Sequence, residues 1–139
     1  MGANSWRERL ANSSEPEFRR IARDIAGMNR GDLALLPTAG MIADFIRTIP
    51  KGKAVSIAEM RQRLARKHGA DVTCPVYTGY GLRTVAEAAC EARANGARHN
   101  EIPPVWRVLD EAAPTMKKLS AEDAAWIKER RSSEGIERS

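Results

Sequence analysis

The chain has 139 residues, 42% hydrophobic and 29% charged, with 23 Lys and Arg against 18 Asp and Glu. That length suits one folded domain with a real core and excludes two. No apolar run long enough to cross a bilayer is present, the start Met1-Gly2-Ala3-Asn4-Ser5-Trp6 lacks the apolar stretch of a secretory leader, and Cys74 and Cys90 have no partners at disulfide-framework or zinc spacing, so a cytoplasmic protein with reduced cysteines, no metal and no cofactor is expected.

Residues 1–40 read as an N-terminal helical arm, 41–135 as the domain proper and 136–139 as a frayed tail. In the arm, Trp6 and Leu10 are isolated anchors and Ser13-Ser14-Glu15-Pro16 is a turn. Phe18, Ile21, Ala22, Ile25 and Met28 then fall on one stripe of a helix that Asn29-Arg30-Gly31-Asp32 ends. Leu33 to Pro37 is expected as a short extended piece, with Thr38 capping the helix that begins near Met41.

Ile42, Phe45, Ile46 and Ile49 recur at helical spacing, and Pro50 stops that helix because it disfavours the helical conformation at Ile49. Lys51 and Lys53 flank Gly52, whose lack of a side chain lets the backbone come close to an anion. Ser56 and Glu59 are placed as a capping box that starts a second helix with Met60 and Leu64 facing inward. Lys67-His68-Gly69 is its stop, with His68 in the last turn and Gly69 suited to a left-handed residue. His68 is read as a cap or surface residue, since no nucleophile or orienting carboxylate accompanies it.

Cys74-Pro75-Val76-Tyr77-Thr78-Gly79-Tyr80-Gly81 is expected to be a loop leading into a helix with Leu82, Val85, Ala86, Ala89 and Cys90 inward. Thr78 or the glycine amides are candidates to hold a phosphate at that helix start. Tyr77 and Tyr80 are placed to stack on a base or to pack. Arg83 lies in the first turn, one position off the inward stripe, with Glu87 four residues on as an ordinary ion-pair partner. Ala94 to Asn100 is a polar loop, Ile102 to Leu109 a strand or buried turn, and Asp110 to Leu119 a polar loop where a wing would sit, carrying Lys117 and Lys118. A last helix starts at Ser120 and ends before Gly135.

A helix ending in Ile49-Pro50-Lys51-Gly52, followed by Ser56-Ile57-Ala58-Glu59-Met60, then Arg83-Thr84-Val85-Ala86 and Ile102-Pro103-Pro104-Val105-Trp106-Arg107-Val108, resembles the C-terminal domain of the O6-alkylguanine-DNA alkyltransferases and their alkyltransferase-like relatives. The likeness covers about half the chain, from Met41 to Leu109. It implies a mostly α, α+β domain of winged helix-turn-helix type in which Arg83 takes the place of a base flipped out of the duplex. Aligning the Arg-Val pair puts Val105 at the alkyl-accepting cysteine and Trp106 at its histidine, so alkyl transfer is expected to be lost, because neither side chain can replace a thiolate. Ile57 stands where the family has a tyrosine on the phosphate side. Cys74 as a relocated nucleophile has no neighbour in sequence to activate it.

From Arg47 to Arg107 there are eleven Lys or Arg against five Asp or Glu, while the remainder carries twelve against thirteen, so the excess basic charge lies where the likeness does. A solvated helix face of Arg61, Arg63, Arg66 and Lys67 explains that surplus as well. The reading is a non-catalytic alkyltransferase-like protein that binds double-stranded DNA through Arg83, Lys51, Lys53, Arg61, Thr78 and Tyr80, around a pocket of Val105, Trp106, Arg107 and Tyr77. By analogy it recognises alkylated or damaged bases for other repair proteins, with no membrane partner. The alternative is an adaptor or scaffold on the same fold, using the Cys74 to Gly81 segment and Trp106 as an interface. A weaker one is a small-molecule binder.

Overall fold

The computed structural model describes residues 5–13 and 15–136. Ser14 and the ends, including most of the expected tail, lie outside them. Among the described residues the fold is mixed α and β, with five α-helices and one three-stranded sheet in the order β1 (Glu17–Arg20), β2 (Leu33–Leu36), β3 (Val72–Thr73). β1 pairs antiparallel with β2, and β2 pairs parallel with β3.

The central element is α4 (Pro75–Ala94), about 30 Å of helix at 1.5 Å per residue. It is packed by α1 (Trp6–Ala11) and α2 (Ala39–Arg47). The approach of α2 is close because Gly81 has no side chain: a Cβ there would lie 2.5 Å from Cδ1 of Ile42. Caps set the helix starts. Thr38 accepts the N–H of Met41, Ser56 that of Glu59 at the head of α3 (Ile57–Lys67), and Ser120 that of Asp123 at the head of α5 (Ala121–Ser133), each satisfying a backbone donor with no partner inside the helix. His68 caps the end of α3, and Gly69 follows at φ 70°.

Three expectations give way to the coordinates. The stripe from Phe18 to Met28 is not a helix: residues 17–20 are strand, and Ile25 and Met28 bridge across a two-residue turn whose Ala26 and Gly27 both have positive φ. A spacing of three and four positions also fits an exposed strand followed by a tight hairpin tip, and pairing with β2 decides for the strand. The Cys74 to Gly81 segment is no loop, because Pro75 at the first helical position preorganises α4 from there. The wing site is a 3-10 turn, Pro114–Lys118, with Thr115 and Met116 buried. Ile102 to Leu109 takes the buried-turn option, a 3-10 turn at Val105–Arg107.

The main core joins α2, α3, α4, α5 and the 102–109 segment around Leu35, Ile42, Ile46, Met60, Leu82 and Trp106. A second, smaller core beneath the sheet holds Ile21, Met28, Ala34, Leu36 and Cys74. Residues 17–36 are therefore knitted to the rest through β2 and β3.

Candidate nucleic-acid interface

The residues singled out from sequence separate into two groups and one outlier. The first group lies on α4. Val76, Tyr77 and Tyr80 are exposed, Tyr80 to 65%, and the two tyrosine rings meet edge to face with centroids 5.9 Å apart. Gly79 belongs to the same surface, and a Cβ on it would meet nothing within 4 Å. A glycine inside a helix costs about 1 kcal/mol relative to alanine, and no internal packing requires this one. Arg83 continues the strip one turn on, its side chain 42% exposed, with Nε 3.4 Å from Glu87 and the guanidinium 5.3 Å from the Trp6 ring. A helical pair four residues apart contributes only about 0.3–0.5 kcal/mol, and at 3.4 Å this half-buried one is long, so Arg83 is held loosely.

Farther along the strip α1 closes over α4. The Glu91 carboxylate accepts the backbone N–H groups of Trp6 and Arg7, both at 3.1 Å. Burial alone would raise the pKa of Glu91, but those two N–H groups and the Arg7 charge outweigh it and hold the carboxyl below its ordinary value. α4 thus has an open N-terminal half and a covered C-terminal half.

Thr78 does not belong to that open surface. It is buried, and its hydroxyl donates to the Cys74 carbonyl at 2.7 Å, so it is committed within the first helical turn. Arg61 is the outlier: Nε and a terminal N–H both donate to the Thr73 carbonyl, tying α3 to β3, while the Thr73 hydroxyl returns a bond to the Arg61 carbonyl.

The second group surrounds Glu134, which sequence reading passed over. Its carboxylate, 1% exposed, accepts Nε and a terminal N–H of Arg107 at 2.9 and 2.8 Å, Nε1–H of Trp106 at 2.8 Å and the backbone N–H of Gly52 at 3.0 Å. Desolvation pushes its pKa up, but the bonds from Arg107, Gly52 and Trp106 outweigh this and bring it down to about 2. Arg107 also donates to the Ile49 carbonyl, and Val55 N–H donates to the Arg107 carbonyl. This node pins the exposed Lys51–Lys53 turn against the 102–109 segment and the end of α5. Val105 and Trp106 are core residues, 0% and 1% exposed, with the Trp106 and Trp126 rings packed edge to face. Tyr77 is the one expected pocket residue that lines a cavity, an apolar groove between α4 and the hairpin tip.

Neither cysteine is presented for chemistry. Both are free and buried, and burial, with Asp123 and Glu87 nearby, pushes the Cys90 thiol up to about 12. Among the described residues no group of three or more His, Cys, Asp or Glu is arranged to hold a metal, and no helix is long and apolar enough to cross a membrane. Comparison with protein-family models, with curated proteins and with solved structures finds no match to this chain.

Proposed function

We propose that this chain is a non-catalytic, alkyltransferase-like protein that binds duplex DNA with the open half of α4. In this reading α3 and α4 are the helix pair of a winged-helix-type domain and α4 is the reading helix. The observation that carries it is the strip Val76, Gly79, Tyr80, Arg83. Two tyrosine rings and an arginine flank a glycine whose missing side chain serves no internal contact, an arrangement suited to close approach of a nucleic-acid backbone with stacking on either side. Arg83 would leave Glu87 and Trp6 at small cost and occupy the space of an extruded base. Lys51 and Lys53 add phosphate contacts from their turn. A methyl acceptor has no place in this reading, since Val105 stands at the cysteine position and the two thiols present are buried.

The test is binding of a fluorescein-labelled duplex, with and without O6-methylguanine, followed by anisotropy across salt. The two phosphate contacts of Lys51 and Lys53 predict a log–log slope near about −1.8, roughly twelve-fold weaker binding between about 50 and about 200 mM salt. Arg83→Ala should weaken binding at every salt concentration, and intact mass after incubation with the methylated duplex should be unchanged. A flat salt profile, or a methyl adduct on Cys74 or Cys90, would overturn the reading.

A further inference from the structure

Five large apolar side chains are exposed among the described residues, and four of them fall in one region, Ile25 at the hairpin tip and Val76, Tyr77 and Tyr80 at the start of α4, while Phe18, paired with Leu35, is on the other face of the sheet. Exposed apolar side chains scattered singly need no explanation, whereas a cluster of them marks a binding surface. Between the tip and α4 runs a groove of about 370 Å³, an open continuation of the small core, with Ile21, Met28 and Leu36 beneath and Ile25, Val76 and Tyr77 at its sides.

Beside the groove, β1 is an edge strand with all four residues exposed. Its free hydrogen-bonding groups follow from register. Ile21 N–H donates to the Asp32 carbonyl, so it points at the β2 side. Alternation along an antiparallel pair then turns the N–H and C=O of Arg19 toward β2 and those of Phe18 and Arg20 outward. Arg19, Arg20 and Arg23 all border the groove. Against them stand Glu17, which pairs with Arg19 at 3.6 Å, and Asp24, whose carboxylate accepts the Arg30 N–H, while the Arg20 guanidinium donates to the Gly31 carbonyl at 2.9 Å. Arg23 is exposed, and no hydrogen bond or ion pair from the described residues engages it.

We propose that the open edge of β1 and the groove beside it are a docking site for an extended, acidic peptide segment of another protein. The segment adds as a strand to β1, seats an apolar side chain between Ile25 and Tyr77, and sets its carboxylates against Arg19 and Arg23. Backbone pairing supplies affinity, while the groove and the arginines supply selectivity. Tyrosine and arginine are also among the side chains enriched at protein interfaces. The positive rim selects an acidic partner over a basic one. This site does not depend on the nucleic-acid reading, although it shares Val76 and Tyr77 with it.

The experiment titrates the isotopically labelled full chain with the peptide acetyl-Asp-Val-Glu-Leu-Asp-Ile-Glu-amide and, separately, with a copy carrying Lys at every acidic position, following amide shifts and hydrogen exchange. The acidic peptide should shift residues 17–28 and 76–77 and slow exchange of the Phe18 and Arg20 amides in particular. Arg23→Glu and Ile25→Glu, both at exposed positions, should each weaken it by about ten-fold, the equivalent of about 1.4 kcal/mol. No binding, equal binding of the two peptides, or shifts centred elsewhere would overturn the proposal. So would the same amides shifting with protein concentration alone, which would place a second copy there, or with duplex DNA and not with peptide.

Discussion

The Glu134 node and the groove beside β1 are both rich in arginine and aromatic side chains, yet they treat them in opposite ways. At the node the polar groups find partners inside the molecule, one carboxylate serving Arg107, Trp106 and the Gly52 amide, and among the described residues the buried Nε of Arg130 is the exception. At the groove, Arg23 and the outer edge of β1 face solvent, and Ile25 and Val76 are uncovered. Residue type therefore does not separate a structural site from a binding site. What separates them is whether hydrogen-bonding capacity and apolar area are used up within the chain.

The largest way to break this contrast is Glu134→Gln. It leaves the Arg107 guanidinium buried without its counter-charge and should cost about 3 kcal/mol of unfolding free energy by urea titration, whereas Ile25→Glu should stay within about 0.5 kcal/mol. Equal losses would mean that the two regions do not differ as described. Acid sharpens the same point. The Glu134 pKa is about 2 in the fold against 4.5 for the free group, so its contribution is complete above about pH 4.5 and is lost as pH falls toward about 2. The stability of Glu134→Gln should therefore fall less steeply across that window.

A contrast of intermediate size lies within α4. Gly81→Ala drives a Cβ against Ile42 and should destabilise by about 1–3 kcal/mol. Gly79→Ala enters open space and should stabilise the free protein by up to about 1 kcal/mol, while weakening duplex binding if close approach is its purpose. A destabilising Gly79→Ala would remove the argument that this glycine faces a ligand. The smallest effect concerns the thiols: neither should react with a disulfide reagent at neutral pH until denaturant is added, Cys90 least of all.

Local signals were readable ahead of the coordinates. Thr38, Ser56 and Ser120 each cap the helix expected after them, and the stripe of α2 and the His68-Gly69 stop lie where spacing and turn chemistry put them. Failures came where one pattern serves two structures. Phe18, Ile21, Ile25 and Met28 satisfy a helical stripe, and only pairing with β2, contributed by a distant segment, makes residues 17–20 a strand. Pro75 was a legible start signal for α4 whose weight the two glycines after it obscured. The local signature of Glu134, an arginine four residues earlier, is that of any surface acid: its hydrogen-bond partners lie 27, 28 and 82 residues away.

Trp6 rests beside the Arg83 guanidinium, whereas Trp106 and Trp126 are sealed in the core. The indole nearest the proposed reading head is therefore also the one most open to water. Its emission gives the native chain an intrinsic optical gauge: with Arg9 still over the ring at 4.5 Å, withdrawal of Arg83 should alter the long-wavelength part of the fluorescence and leave the signal of the buried pair untouched. Any occupant that draws Arg83 away would announce itself without a label.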